Sequence, residues 1–186
     1  MSIKTIKTTT IGLLAATFLA VSASTALAAD TMIVDTQKIF ESSSAVKQIR
    51  EQIDKKAEEF KKDSTDKEAY FKKKYDDLEK QKSVLKKDEF EQKNNDLAKE
   101  FGEAQKKVQD SRTVLDKAYT DAMQKVETVF NDVVKAEATK KGAKVVLHKM
   151  QTIYSDTSLD LTDPVLAELN KQMPKATVSF SAASSK

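Results

Sequence analysis

The feature that most constrains this chain is a stretch of 98 residues, from Ser44 to Lys141, with one glycine, Gly102, and no proline. Lys, Glu, Gln and Ala are abundant in it, and all four residue types favour helices. One straight helix of this length would extend on the order of 150 Å, at about 1.5 Å per residue. The stretch therefore predicts two helices that fold back on each other as a long antiparallel hairpin.

The second half of this stretch carries the repeat of a coiled coil. Its seam positions recur at alternating spacings of four and three residues, the heptad spacing at which two helices pack together. These positions are Phe90, Asn94, Leu97, Phe101, Ala104, Val108, Ser111, Leu115, Ala118 and Ala122. In the first half, the facing stripe consists of Val46, Ile49, Ile53, Lys56 or Ala57, and Phe60.

The facing stripe weakens in the segment KKDSTDKEAYFKKKYDD, from Lys61 to Asp77. Its only apolar residues are crowded together rather than spaced along one helix face: Ala69, Tyr70, Phe71 and Tyr75. The stripe returns thinly at Leu78, Val84 and Leu85. We therefore expect an arm that is well packed near its base and flexible in its distal half, because few buried contacts hold that half. The turn at its tip is placed between Ser83 and Asn95, near Lys86–Asp88.

The segments that flank the arm predict a small body. Residues 29–43 contain a strand, Met32 to Asp35, and the start of a helix at Thr36. Gly142 ends the arm as a helix stop, and residues 142–173 then contain two short strands, in AKVVLHKM and TIYS. The body closes with a helix that has Asp163 as N-cap and Pro164 as its first residue. The Ser- and Ala-rich residues 174–186 read as a flexible tail.

These elements predict an α+β fold, mostly α, with a helical hairpin arm on a small β-body. A three-stranded sheet with one short helix has too little core to be stable alone. We therefore expect an oligomer in which several chains contribute strands to the body.

The first 28 residues have the pattern of a secretory signal peptide. Lys4 and Lys7 precede an apolar run from Ile11 to Val21, and Ala26-Leu27-Ala28 is a cleavage site. The apolar run is shorter than the roughly 20 residues of a membrane-spanning helix. We expect the mature protein to be exported and soluble.

Charge and composition argue against several functions. The chain has 32 Lys and Arg against 29 Asp and Glu, and removal of Lys4 and Lys7 leaves 30 against 29. A nearly neutral exported protein is a poor nucleic-acid binder. The single histidine, His148, has no cysteine or second histidine with which to share a metal. No phosphate-binding loop or calcium loop is present, so we expect no cofactor and no enzymatic activity.

The order of motifs resembles the Skp (OmpH-like) family of periplasmic chaperones. The entry motif is Val34-Asp-Thr-Gln-Lys-Ile-Phe40, and the exit strand is Lys140-Lys-Gly-Ala-Lys-Val-Val-Leu147. The ending is Asp160-Leu-Thr-Asp-Pro-Val-Leu166. Together the motifs span about residues 30 to 172. This chain departs from well-studied members, which are strongly basic.

The resemblance implies a jellyfish-shaped homotrimer in the periplasm, with three arms around a cavity that holds unfolded outer-membrane proteins without ATP. It leaves lipopolysaccharide or a membrane surface open as a further partner. The candidate client contacts on the arm are Tyr70, Phe71, Lys72, Lys73, Lys74, Tyr75, Lys82, Lys86, Lys87 and Phe90. The candidate oligomer contacts in the body are Ile33, Val34, Val145, Val146 and Leu147.

Many weak contacts suit a holding chaperone, because it must bind client proteins of varied sequence and release them without ATP hydrolysis. Each exposed charge contact is worth no more than about 1 kcal/mol. For any one of these lysines or aromatics, a merely solvated position on the coiled coil is an equally good interpretation. The competing function is an envelope spacer or adaptor, and a DNA-binding coiled coil is disfavoured.

Overall fold

The arm is a pair of antiparallel helices. A computed structural model of the chain describes residues 31–181, so the predicted signal peptide and its cleavage site lie outside the described residues. Helix α2 (Ser44–Gln81) runs out from the body and α3 (Lys87–Lys140) returns to it. The turn between them comprises residues 82–86. At about 1.5 Å per residue, the 54 residues of α3 extend on the order of 80 Å.

The body is built from the two ends of the described chain. Strand β1 (Thr31–Val34) pairs in parallel with β2 (Val145–His148), so that Thr31 faces Val145 and Val34 faces His148. Helix α1 (Thr36–Ser42) follows β1, and α4 (Thr162–Gln172) packs on both α1 and α3. The predicted class, mostly helical with a hairpin arm on a small β-body, is confirmed.

The return from α3 to the body follows the glycine signal in the sequence. Gly142 has a φ of 71°, a left-handed conformation that suits glycine because it lacks a Cβ. The N–H of Ala143 donates to the carbonyl of Ala138 over 2.9 Å, and the N–H of Gly142 donates to that of Thr139 over 3.1 Å. This is a Schellman motif, which satisfies carbonyls left without partners at the helix end.

The second predicted strand after Gly142 is absent from the described residues. Lys149–Gln151 forms a 3₁₀ turn, and the TIYS segment is irregular, with Ile153 and Tyr154 fully exposed. A strand needs a neighbour for its hydrogen bonds, and the second edge of β1 is occupied at Ile33, which bridges to Asp160. The sheet of one chain therefore has two strands, where three were expected.

The start of α4 also differs from the prediction, because Asp163 is not its N-cap. The helix begins at Thr162, and the side chain of Asp160 accepts a hydrogen bond from the Thr162 N–H over 2.8 Å. Pro164 is the third helical residue, still within the first turn, where a backbone N–H has no helical partner to lose.

Residues 174–181 lie along α2. They are the described part of the flexible tail expected for 174–186, and residues 182–186 lie outside the described residues. Val178 is buried, and Phe180 packs against the body core. Two glutamines of α2 bind the tail backbone.

Apolar side chains form two separate clusters. The body cluster reaches up the base of the arm and includes Ile39, Ile49, Val126, Val133 and Leu169, all fully buried. The distal cluster lies near the tip of the arm and consists of Phe71, Leu78 and Leu97, with Leu85, Phe90 and Ala104 packed around them.

Candidate functional site

The middle of the arm is weakly packed. Between Ile49 and Phe71 on α2, and between Leu97 and Ala118 on α3, no apolar residue is fully buried. Ser64 and Lys67 occupy seam positions there and are only half-buried. A groove of about 400 Å³ lies beside Phe60, Ser64, Ser111 and Leu115. The two helices are therefore held together at both ends and poorly in between.

The seam returns earlier than the sequence pattern indicates. Phe71 is only 6% exposed, and its ring meets Phe101 of α3 edge-on, with 5.3 Å between ring centroids. Val84, which the sequence pattern places in the returning stripe, is instead 81% exposed in the turn. Phe71 thus belongs to the distal cluster, and in this arrangement its side chain is not available to a client.

The neighbouring tyrosines remain on the surface. Tyr70 is 46% exposed and Tyr75 37% exposed. The ammonium of Lys74 lies 5.3 Å from the centroid of the Tyr70 ring, close enough for a cation–π contact. Lys82 makes the same kind of contact with Phe90, at 5.6 Å.

An open groove of about 520 Å³ runs along the distal arm. It brings together three of the predicted contact residues, Tyr70, Lys73 and Lys74, above the buried side chains of Leu78 and Leu97. Its rim also includes charged residues that the sequence reasoning missed: Asp77, Lys93, Asp96 and Glu100. Three of these lie on α3, and the heptad register of the two helices is the signal that could have placed them opposite Tyr70.

The remaining predicted contact residues are not part of this groove. Lys72 and Tyr75 are exposed but do not line it. Lys82, Lys86 and Lys87 are exposed at the turn, and Phe90 is half-buried beneath them. The distal arm is therefore a surface of mixed charge with isolated aromatic rings rather than one apolar patch.

The predicted oligomer residues divide into two sets. Ile33 and Val34 are buried within the chain, whereas Val145 is 48% exposed on β2 and Leu147 is also exposed. Val146 is half-buried. Among residues 31–181, β2 pairs with β1 only, so its outer edge is open. Three further apolar residues beyond β2 are exposed: Met150, Ile153 and Tyr154.

His148 has a structural partner. Its Nδ1 lies 2.7 Å from the hydroxyl of Thr36, which links the end of β2 to the start of α1. Within residues 31–181, no group of three or more His, Cys, Asp or Glu side chains is placed to hold a metal ion. None of the helices in this range is long and apolar enough to cross a membrane.

Comparison with known proteins agrees with this architecture. The sequence profile of the family described as Outer membrane protein (OmpH-like) matches residues 30–169, which is most of the chain. The chain belongs to the OmpH-like family. The match ends within α4, before residues 174–181.

The fold of this OmpH-like protein matches a crystal structure from Caulobacter crescentus CB15 of a candidate outer membrane chaperone, also OmpH-like. The TM-score is 0.79, the sequence identity is 16%, and the match covers 85% of this chain and 94% of the other. At this identity the likeness shows a shared fold. A search of curated protein sequences gives no match.

Proposed function

We propose that this OmpH-like protein is an ATP-independent holding chaperone of the periplasm. It binds unfolded outer-membrane proteins in a cavity between coiled-coil arms and keeps them from aggregating. The observation that carries the proposal is the surface of the distal arm, where exposed tyrosines alternate with charges of both signs. Such a surface makes many contacts, each worth no more than about 1 kcal/mol, so a client can dissociate from it without ATP hydrolysis.

The weak middle of the arm supports the same function. An arm held by one cluster at its base and another near its tip can bend between them, since few buried contacts resist bending there. Three such arms could spread around clients of different size. A rigid envelope spacer would instead need a continuous apolar seam, which this arm lacks.

The open edge of β2 supports an oligomeric body. Val145 and Leu147 are exposed on the strand, and a sheet edge with apolar side chains is a surface that other chains can cover. The number of subunits, three, is taken from the family resemblance. The signal-peptide pattern in residues 1–28 supports export to the periplasm. We expect no catalytic activity and no bound cofactor.

The experiment that tests this function uses the purified mature protein and an outer-membrane β-barrel diluted out of urea. We expect the protein, in stoichiometric amount and without nucleotide, to suppress light scattering by the barrel protein. Unchanged scattering, from protein shown to be folded and oligomeric, would contradict the chaperone function and favour the spacer.

A charge-reversal variant tests the contribution of the distal lysines. Lys72, Lys73 and Lys74 replaced by Glu should raise the amount of chaperone needed for half-suppression roughly tenfold. Three lost contacts of about 0.5 kcal/mol each give this factor. The control replaces Lys47, Lys55 and Lys135, exposed lysines at the arm base, by Glu. Equal loss in both variants would show that net charge rather than position matters, and dissociation of the oligomer would make Lys72–Lys74 structural.

A further inference from the structure

The tail, residues 174–181, is held on α2 by hydrogen bonds between its backbone and two glutamine side chains of the helix. The side-chain amide of Gln48 donates to the carbonyl of Pro174 over 3.0 Å and accepts from the N–H of Ala176 over 3.3 Å. The amide of Gln52 repeats the pattern two residues along the tail. It donates to the carbonyl of Ala176 over 2.7 Å and accepts from the N–H of Val178 over 3.1 Å.

Each glutamine imitates one residue of a neighbouring strand. In a parallel sheet, the N–H and the C=O of one residue bond to the partner residues on either side of the one opposite, as each amide does here. The pairing can repeat because the helix and the tail have similar spacings. Side chains four residues apart on a helix are about 5–6 Å apart. Residues two apart on a strand are separated by about 6.5 Å. Helix α2 therefore presents two strand-like positions to an extended chain.

The side chains of the tail alternate as they do on a strand. Ala176, Val178 and Phe180 face the body core and are buried or half-buried, whereas the residues between them are exposed. On the α3 side, Ala118 and Ala122 line an open groove beside Thr177 and Ser179. The glutamines contact only the backbone, and the core contacts only every second side chain. The site thus requires an extended chain with alternating polarity and makes no demand on a particular sequence.

We infer that the tail site, which is formed by Gln48, Gln52 and the body core beneath Ala176, Val178 and Phe180, binds extended client segments with alternating apolar and polar residues. The chain's own tail occupies this site until a client replaces it. The inference rests on the proposed function, since alternating segments are what the strands of a membrane β-barrel provide. Backbone pairing with pockets for alternate side chains is also the mode by which sheet edges bind extended peptides. The tail lies beyond the part of the chain that the OmpH-like profile matches.

The test uses a fluorescent 12-residue peptide of unrelated sequence, in which Leu, Val and Ala alternate with Thr, Ser and Lys. Binding is measured by anisotropy to the full chain and to a chain that ends at Met173. We expect roughly tenfold or more tighter binding to the shortened chain. The apparent affinity equals the intrinsic affinity multiplied by the fraction of sites that are open, and the tail keeps that fraction small in the full chain. A control peptide has the same composition, but its apolar residues are consecutive instead of alternating. It should bind detectably to neither the full chain nor the shortened chain.

One double variant and one measurement on the intact chain make the test decisive. Gln48→Met with Gln52→Met keeps the length of both side chains but removes the amides, and should abolish the tighter binding to the shortened chain. In the full chain, saturating peptide should remove hydrogen-exchange protection at the amides of Ala176 and Val178. This measurement also covers the case in which the shortened chain fails to fold.

Several results would overturn the inference. Equal peptide affinity of the full and shortened chains would do so, as would equal binding of the two peptides or unchanged protection of the tail with peptide bound. Suppression of barrel aggregation in the scattering assay, together with any of these results, would leave the chaperone function standing and refute only client binding at the tail site.

Discussion

Ser43 separates α1 from α2 and is fully buried, with a hydroxyl that has no hydrogen-bond partner within residues 31–181. A serine before a helix ordinarily caps it, but Asn170 does so here from α4. Its Oδ1 accepts from the Ser44 N–H over 2.9 Å. A buried hydroxyl without a partner loses its hydration and gains nothing in return.

We therefore expect Ser43→Ala to raise the free energy of unfolding by about 1 kcal/mol. Asn170→Ala should lower it by about 1–2 kcal/mol, because α2 loses its cap and the Ser44 hydroxyl loses its acceptor. Urea denaturation at fixed protein concentration measures both changes. A loss of stability in Ser43→Ala would mean that the hydroxyl has a partner in the assembled oligomer.

Asp160 makes the stability of the body depend on pH. Burial raises the pKa of its carboxyl, but hydrogen bonds from Thr162 and the ion pair with Lys149 outweigh burial and hold the pKa below its ordinary value of 3.8. Because the folded pKa is the lower one, the stabilisation is complete above the ordinary value and is lost as pH falls through the folded pKa. Asp160→Asn should reduce stability at neutral pH and flatten its decline between about pH 5 and pH 3. An acid-unfolding curve with an unchanged slope would show that other carboxyls set the pH dependence.

At the scale of elements, the sequence predicted the arm better than the packing of residues 174–181. Heptad spacing placed Leu97, Ala118 and Ala122 in the seam, and all three are buried. The sequence does not mark Phe71 as a seam residue, because Tyr70 stands beside it and the preceding seam positions, Ser64 and Lys67, are polar. The Ser- and Ala-rich composition of the tail predicts flexibility. The pairing of the tail with Gln48 and Gln52 could not be predicted, because pairing between glutamine amides and a backbone leaves no local pattern in the sequence.

The distal cluster should hold the outer half of the arm independently of the body. Phe71→Ala removes a buried ring, a change that costs about 3–5 kcal/mol in a well-packed core. We expect hydrogen exchange to become faster in the outer arm, near Leu78 and Leu97, while protection around Val126 and Val133 remains. Tyr75→Ala, at a ring 37% exposed on the same helix, is the matched control and should change neither region. Faster exchange throughout the chain would show that arm and body unfold as one unit.

At the scale of the whole molecule, a single chain leaves part of its body uncovered. The core of the body is buried by α1, α4 and the base of the arm, but β2 lies at the margin, with Val145 and Leu147 exposed. Met150, Ile153 and Tyr154 continue this exposed apolar surface along the segment that follows β2. The sequence indicated a body too small to stand alone, but it could not show which side chains the chain covers itself. Ile33 and Val34 read the same as Val145 in the sequence. They differ because β1 lies between β2 and the segment at Asp160, whereas β2 pairs only with β1 among residues 31–181.

An interface at this edge predicts a specific response to a buried charge. Val145→Asp would place a carboxylate between subunits, and burial of an unpaired charge costs several kcal/mol. We expect its native mass, measured by light scattering after size exclusion, to fall from oligomer to single chain, with retained helical circular dichroism. Val84→Asp adds the same charge at an apolar residue that is 81% exposed at the arm tip, and should leave the mass unchanged. If Val145→Asp also keeps the native mass, the outer edge of β2 is not the interface, and the exposed surface from Met150 to Tyr154 must be tested in its place.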